Sequence, residues 1–152
     1  MSDENLYLYI LMRNDLPSLG AGRAAAQASH ASNAFIHKFG NVDTVRRWQA
    51  QTPQGFGTAI VLSASKKEIG DTLTECSNTG VTECDEIIDP DYVIPISSEI
   101  IPYIDTHVLN MFEPSKTDSG KYFFHRTEIT CAYVFGYKEK LSSLLSKFPL
   151  YS

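Results

Sequence analysis

The sequence predicts an α/β fold, a single three-layer domain in which a mixed or mostly parallel sheet of about four strands has helices on both faces. Three observations lead to this class. The chain has 152 residues, which is a usual length for a single domain and enough to bury a sizeable core. Apolar runs of strand length alternate with segments whose apolar residues recur at helical spacing. Glycine and proline clusters separate these segments, as expected of strand and helix units in sequence.

Four apolar runs are short enough to be strands. The first, "LYLYILMR" at Leu6–Arg13, is almost continuously apolar and rich in aromatic and branched residues, which predicts a strand buried on both faces. The second is "TAIVLSA" at Thr58–Ala64. The third covers residues 81–88 and delivers Asp89 at its carboxyl end. The last covers residues 129–137, "ITCAYVFGY".

Helical spacing predicts four helices between and after these strands. The first runs from about residue 23 to 39, where Gly40 ends it. A short second helix covers residues 42–50. Ser65 with Glu68 three positions later fits a capping box and opens the third. Four apolar positions mark a final amphipathic helix, namely Leu141, Leu144, Leu145 and Phe148.

A long insertion, residues 90–126, interrupts this alternation before the last strand. It contains four of the seven prolines and a polar turn, "EPSKTDSGK". Connections of this length in a compact domain are usually functional or carry elements of their own. We expect it to be partly helical near residues 99–112, with a short hairpin or an extended arm after that. The whole chain, 1–152, is otherwise expected to form one domain.

The first helix carries three bulky polar side chains in a run otherwise built of glycine, alanine and serine, "LGAGRAAAQASHASNAF". At about 100° per residue these three fall on one stripe, and they are Arg23, Gln27 and His30. The expected core side is a second stripe, Ala24, Ala28, Ala31 and Phe35. In the loop before the helix, Gly20 and Gly22 would let the backbone approach a ligand or adopt positive φ.

Composition excludes several classes of protein. The net charge of −5 argues against coating nucleic acid by bulk electrostatics, although it leaves room for a local basic patch. The three cysteines, Cys76, Cys84 and Cys131, have no close pair at metal-ligand spacing, so reduced thiols are expected. No apolar run reaches membrane length, and the start "MSDEN" lacks an export pattern. A cytoplasmic protein with no membrane partner is expected.

Three motifs resemble the peptidyl-tRNA hydrolases of the archaeal and eukaryotic type. These are "RND" after the first strand, the glycine-rich loop that follows, and "AAQASHAS" on the first helix. "RTEI" at residues 126–129 is similar to the family's arginine, threonine, glutamine, isoleucine segment, which normally follows the strand-ending aspartate closely. The closing "YKEKLSSLLSKFPLYS" is similar to the tail of a divergent branch, the hydrolase-domain-containing proteins.

The resemblance implies an enzyme of translation that binds tRNA and hydrolyses the ester between a peptide and the terminal ribose, without metal or other cofactor. That reaction needs a positioned water, a group to take its proton, and donors for the developing oxyanion. Asp89 is the candidate for directing water. Arg23 and Gln27, near the positive end of a helix, are candidates for binding the oxyanion or a phosphate. The side chains of Asp89, Arg23 and Gln27 are then expected to lie together in one cleft.

Carrying the resemblance over residue by residue gives the remaining candidates. Thr127 joins Asp89, Arg23 and Gln27 as catalytic. The expected substrate contacts are Asn14, Gly20, Gly22 and His30. The partners implied are peptidyl-tRNA or another RNA, and homodimerisation is left open.

Two departures from the family pattern favour a second hypothesis. The family's two glycine-flanked lysines align with Ala21 and Arg23, and arginine is a planar fork that stays protonated whereas lysine is a compact donor. The insertion also separates Asp89 from Thr127. The alternative is therefore a catalytically impaired relative that binds RNA or a protein partner through its insertion.

Structural roles also stand as alternatives for the individual residues. Arg23 would then pair with Asp15 or a loop carbonyl, and Gln27 would only solubilise an exposed helix face. His30 would be a hydrogen-bonded structural histidine rather than a catalyst. Asp89 would only form a turn before Pro90.

Overall fold

The structure is a computed structural model that describes residues 4–79, 83–96, 115–116 and 122–152. Strands alternate with helices along the described residues, and the α/β prediction is confirmed. The elements in chain order are β1 (Leu6–Arg13), α1 (Ala21–Phe39), α2 (Asp43–Ala50), β2 (Thr58–Ala64), α3 (Lys66–Thr79), β3 (Glu83–Ile96), β4 (Ser115–Lys116), β5 (Tyr122–Tyr137) and α4 (Lys138–Leu145).

The strands form one mixed sheet in the order β2-β1-β5-β3, and β4 pairs with β5. Strand β1 is parallel to β2, with Ile10 opposite Val61. It is antiparallel to β5, where Ile10 lies opposite Tyr133. A parallel pair needs a long crossover connection, and α1 with α2 supplies it. The mixed sheet predicted from the sequence is therefore confirmed.

The chain divides into two compact units. The first consists of Met1–Asp15, Leu19–Ile87 and Ile129–Ser152. The second consists of Leu16–Ser18 and Ile88–Glu128. The second unit nearly coincides with the predicted insertion, and the division of the chain into domains otherwise stays a prediction.

The first unit has three layers because both faces of β1 are apolar. Leu8 and Met12 lie in the two apolar clusters that α1 and α2 complete. Tyr9 and Leu11 point the other way, into a cluster completed by α3 and α4. Alternation of side chains along a strand produces this division. The predicted burial of β1 on both faces is thus correct.

Phe35 is the centre of the aromatic part of this core. Its ring lies 5.7 Å from that of Trp48, 5.4 Å from Tyr133 and 4.8 Å from Phe135, measured between centroids. The Trp48 indole Nε1 donates a hydrogen bond of 2.9 Å to the Thr58 carbonyl. These contacts fix α1 and α2 against the sheet.

The capping box at the start of α3 is confirmed. The Glu68 amide donates to Ser65 Oγ at 3.2 Å, and the Ser65 amide donates to Glu68 Oε2 at 2.7 Å. Near the other end of α3, the Cys76 thiol is buried, whereas the Cys84 thiol is only half-buried. Burial and the neighbouring Cys76 thiol raise the pKa of Cys84 to about 11.

The two longest strands, β3 and β5, differ from the prediction. Strand β3 continues to Ile96, so Asp89 lies within a strand and not at its carboxyl end. Strand β3 ends the strand order, and an edge strand tolerates Pro90 and Pro95 because it has an unpaired side. Strand β5 begins at Tyr122 rather than near residue 129.

Of the two forms expected for the later part of the insertion, a short hairpin or an extended arm, the structure has an antiparallel pairing of Ser115 with Phe123 and of Lys116 with Tyr122. The helix predicted near residues 99–112 lies outside the described residues.

Candidate active site

The amino end of α1 is open and lacks acidic side chains in its first turn. Gly20 is the N-cap residue with φ −76°, and Gly22 is helical, so of the two expected uses of these glycines positive φ does not apply. The left-handed residue of the preceding loop is Ser18, with φ 62°. A Cβ atom at Gly20 or Gly22 would meet nothing within 4 Å. The glycines therefore leave the helix start accessible to a ligand.

Arg23 is exposed in the first turn of α1, and His30 is exposed two turns later. The unpaired amides of a helix start carry partial positive charge, and the guanidinium adds a full charge beside them. The helix-start amides and the Arg23 guanidinium together favour binding of an anion at the start of α1. Asn14 is also exposed, and its backbone amide donates to the Ala64 carbonyl at 2.9 Å.

Gln27 does not share the exposure of Arg23 and His30. Only 5% of its surface is accessible, and Thr130 of β5 donates to its Oε1 at 2.7 Å. The Cys131 thiol donates to the Gln27 carbonyl at 3.6 Å. Burial raises the pKa of Cys131 to about 12, so this thiol keeps its proton. Gln27 thus joins the buried stripe of α1, where Ala28 is only partly buried, and the alternative that Gln27 only solubilises an exposed face was wrong.

A buried arginine supports this arrangement from β1. Arg13 is 6% exposed and donates through Nε to Asp15 Oδ1 at 2.8 Å. It also donates to the carbonyl of Ile129 at 3.0 Å, which precedes Thr130. Arg13 therefore fixes the part of β5 that holds Gln27. The sequence placed Arg13 in a motif but gave it no role.

The Asp15 carboxylate links Arg13 to the start of α3, because it also accepts the Lys66 amide at 3.1 Å. Partial burial raises the pKa of Asp15, but the hydrogen bonds from Arg13 and from the Lys66 amide outweigh that effect and leave it lowered. Asp15 is thus ionised at neutral pH, and its carboxylate holds both the Arg13 side chain and the start of α3.

In the second unit, the structure brings Thr127 beside the strand segment that contains Asp89. Thr127 Oγ1 donates to the Pro90 carbonyl at 3.4 Å, although the insertion separates the two in sequence. Asp89 Oδ1 accepts the Asp91 amide at 2.9 Å. This is the local bond of a turn-forming aspartate, made here inside a strand.

The same two strands carry a pair that sequence reasoning missed. His125 Nδ1 lies 2.8 Å from Asp91 Oδ1. The only signal in the sequence was that each residue stands two positions from a candidate, Asp91 after Asp89 and His125 before Thr127.

Each unit thus groups part of the predicted site. Arg23 and Gln27 belong to the first, and Asp89 and Thr127 belong to the second. Convergence of the two groups stays a prediction.

The opposite flank of α1 borders an apolar cleft of about 380 Å³ in the first unit, lined by Ala21, Ala24, Ala25, Ala28, Val61, Tyr151 and Ser152. No charged side chain lines this cleft. Within the described ranges, no three histidine, cysteine or acidic side chains are placed to hold a metal ion. No helix of that part of the chain is both long and apolar enough to span a membrane.

The family model described as peptidyl-tRNA hydrolase PTH2 matches residues 6–89, more than half of the 152 residues. The match begins with β1, includes all of α1 and ends at Asp89. It therefore contains Arg23, Gln27 and Asp89, whereas Thr127 and His125 lie beyond it. No curated protein matches the chain.

Proposed function

Since this chain belongs to the peptidyl-tRNA hydrolase PTH2 family, we propose that it hydrolyses the ester between a peptide and the terminal ribose of tRNA. The single observation that carries the proposal is the family match over residues 6–89. That segment holds three of the four residues assigned catalytic roles. The substrate partner is peptidyl-tRNA, and the products are a free peptide and deacylated tRNA.

The roles follow from the chemistry of each group. The Asp89 carboxylate accepts hydrogen bonds only, which suits it to direct a water molecule. Arg23 offers a permanent charge at the positive end of α1, where it stabilises the oxyanion as the water attacks. Gln27 is an amide whose position is fixed by Thr130, and preorganised dipoles of this kind stabilise developing charge without reorganisation. Thr127 supplies a hydroxyl beside the strand of Asp89.

Four further residues are proposed to contact the substrate. Because Gly20 and Gly22 have no side chains, the open space at the start of α1 stays available to the substrate. Asn14 and His30 are exposed polar residues on the loop and the helix. Arg23 in the place of the family's lysine keeps the charge, so the proposal requires a cation there but not a titrating amine.

Incubating the purified chain with peptidyl-tRNA in ¹⁸O-labelled water tests the proposal. Many equivalents of peptide should be released per protein molecule, with one labelled oxygen in the new carboxyl group, because water attacks the carbonyl carbon. Deacylated tRNA should be unlabelled. Intact substrate after prolonged incubation would refute the proposal. Retention of tRNA without turnover would favour the alternative, an impaired relative that binds RNA.

A further inference from the structure

The Asp91 and His125 pair lies on the strands that carry Asp89 and Thr127. His125 Nδ1 is 2.8 Å from Asp91 Oδ1 and 3.3 Å from the Asp91 carbonyl oxygen. The imidazole also packs against the Phe123 ring in an edge-to-face arrangement, with centroids 5.2 Å apart and planes at 66°. Two polar contacts and one ring contact therefore fix the orientation of this histidine.

The contacts also decide which nitrogen carries the hydrogen in the neutral ring. A carbonyl oxygen and a carboxylate oxygen are both acceptors, so Nδ1 must be the donor. Nε2 is then the basic nitrogen, with its lone pair available to take a proton. The side chain keeps 39% of its surface exposed, which allows a substrate or water to reach it.

Four polar side chains share one face of this strand pair, and we call them the β3–β5 cluster. Residues two apart on a strand point to the same face, which groups Asp89 with Asp91 and His125 with Thr127. Because Asp91 contacts His125, the β3 pair and the β5 pair lie on a common face of the two strands. The cluster is Asp89, Asp91, His125 and Thr127.

Two further charged side chains of β5 lie on the opposite face. Arg126 and Glu128 of β5 alternate away from His125, and they pair with each other at 2.8 Å. Asp89 and Asp91 thus lie on the same face as the imidazole.

We propose that His125, oriented by Asp91, is the general base and acid of the ester hydrolysis. The inference rests on the proposed function and names the group that takes the proton from the water that Asp89 directs. An imidazole suits this role because it is the side chain that ordinarily titrates between pH 5 and 8. His125 is the catalytic residue of the pair, and Asp91 is a positioning residue.

Protons and bonds balance through the two steps. The water oxygen bonds to the ester carbonyl carbon while its proton moves to His125 Nε2. The bond between the carbonyl carbon and the ribose oxygen then breaks, and the imidazolium returns the proton to that oxygen. A peptide carboxylic acid and a free ribose hydroxyl result, and His125 is neutral again.

The pH profile of kcat/KM for peptidyl-tRNA hydrolysis, from pH 4.5 to 8.5, tests this assignment. In the parent, kcat/KM should fall steadily toward the acidic end of this range, because protonation removes the base. His125→Gln should lose about 100-fold at pH 7.5 and lose that acidic limb. Asp91→Asn should retain the limb with a loss of about tenfold. The asparagine amide can donate to Nδ1, which would leave the ring hydrogen on Nε2, the nitrogen that has to accept the proton. The control is His37→Gln, an exposed histidine near the end of α1, with a parental profile.

The outcomes separate this inference from the proposed function. A parent that hydrolyses the substrate with a flat profile between pH 5 and 8, or a His125→Gln variant with the parental limb, would overturn the role of His125 alone. A parent that releases no peptide at any pH would overturn both.

Discussion

Replacing Gly57 with alanine should destabilise the protein by about 4 kcal/mol, close to the total stability of many small domains. Gly57 has φ +72°, and a methyl group there would overlap the indole ring of Trp48. Trp48 is 1% exposed and held by its bond to the Thr58 carbonyl, so it has no room to move. The estimate adds the cost of a left-handed alanine, roughly 1 kcal/mol, to that of overpacking, about 3 kcal/mol.

Gly55→Ala is the matched control for this prediction. Gly55 also has a positive φ of 79°, but a methyl group there meets nothing within 4 Å. It should cost only about 1 kcal/mol. Urea unfolding followed by fluorescence of the single tryptophan measures both variants. Equal shifts in the unfolding midpoint would mean that the Trp48 contact contributes nothing.

Asp89→Asn should lower kcat/KM for peptidyl-tRNA at least about 100-fold while leaving stability unchanged. An asparagine oxygen can still accept the Asp91 amide, the 2.9 Å bond that Asp89 makes. What it lacks is the negative charge that we propose directs the attacking water. The variant therefore separates a catalytic carboxylate from a turn-forming side chain.

Asp43→Asn provides the control, because Asp43 is 94% exposed on α2 and has no assigned role. Steady-state hydrolysis and thermal unfolding should be measured for both variants. Parental kcat/KM in Asp89→Asn would show that its carboxylate serves only the local backbone bond.

Local patterns predicted most of the first unit. The capping box at Ser65 and Glu68 forms between residues three apart, so sequence alone contains both partners. The apolar run of β1 likewise predicts its own burial on two faces. These features depend on neighbouring residues and on side-chain periodicity, which a sequence displays directly.

Features that depend on distant partners were missed. The burial of Gln27 requires the Thr130 hydroxyl, 103 residues away, to satisfy an amide that would otherwise be costly to bury. The burial of Arg13 similarly depends on the Ile129 carbonyl, 116 residues away. His125 acquires its orientation from Asp91, 34 residues earlier, through the pairing of β3 with β5. Periodicity within one segment carries no information about such pairings.

The central claim is that Arg23 of α1 and Asp89 of β3 act on the same ester. A double-mutant cycle on kcat/KM with Arg23→Met, Asp89→Asn and the combined variant tests it most directly. Residues that act as a unit show strongly non-additive losses. Each single variant should lose about 100-fold, and the combined variant no more than about tenfold beyond that. Losses that multiply in full, or parental kcat/KM in Arg23→Met, would contradict the claim.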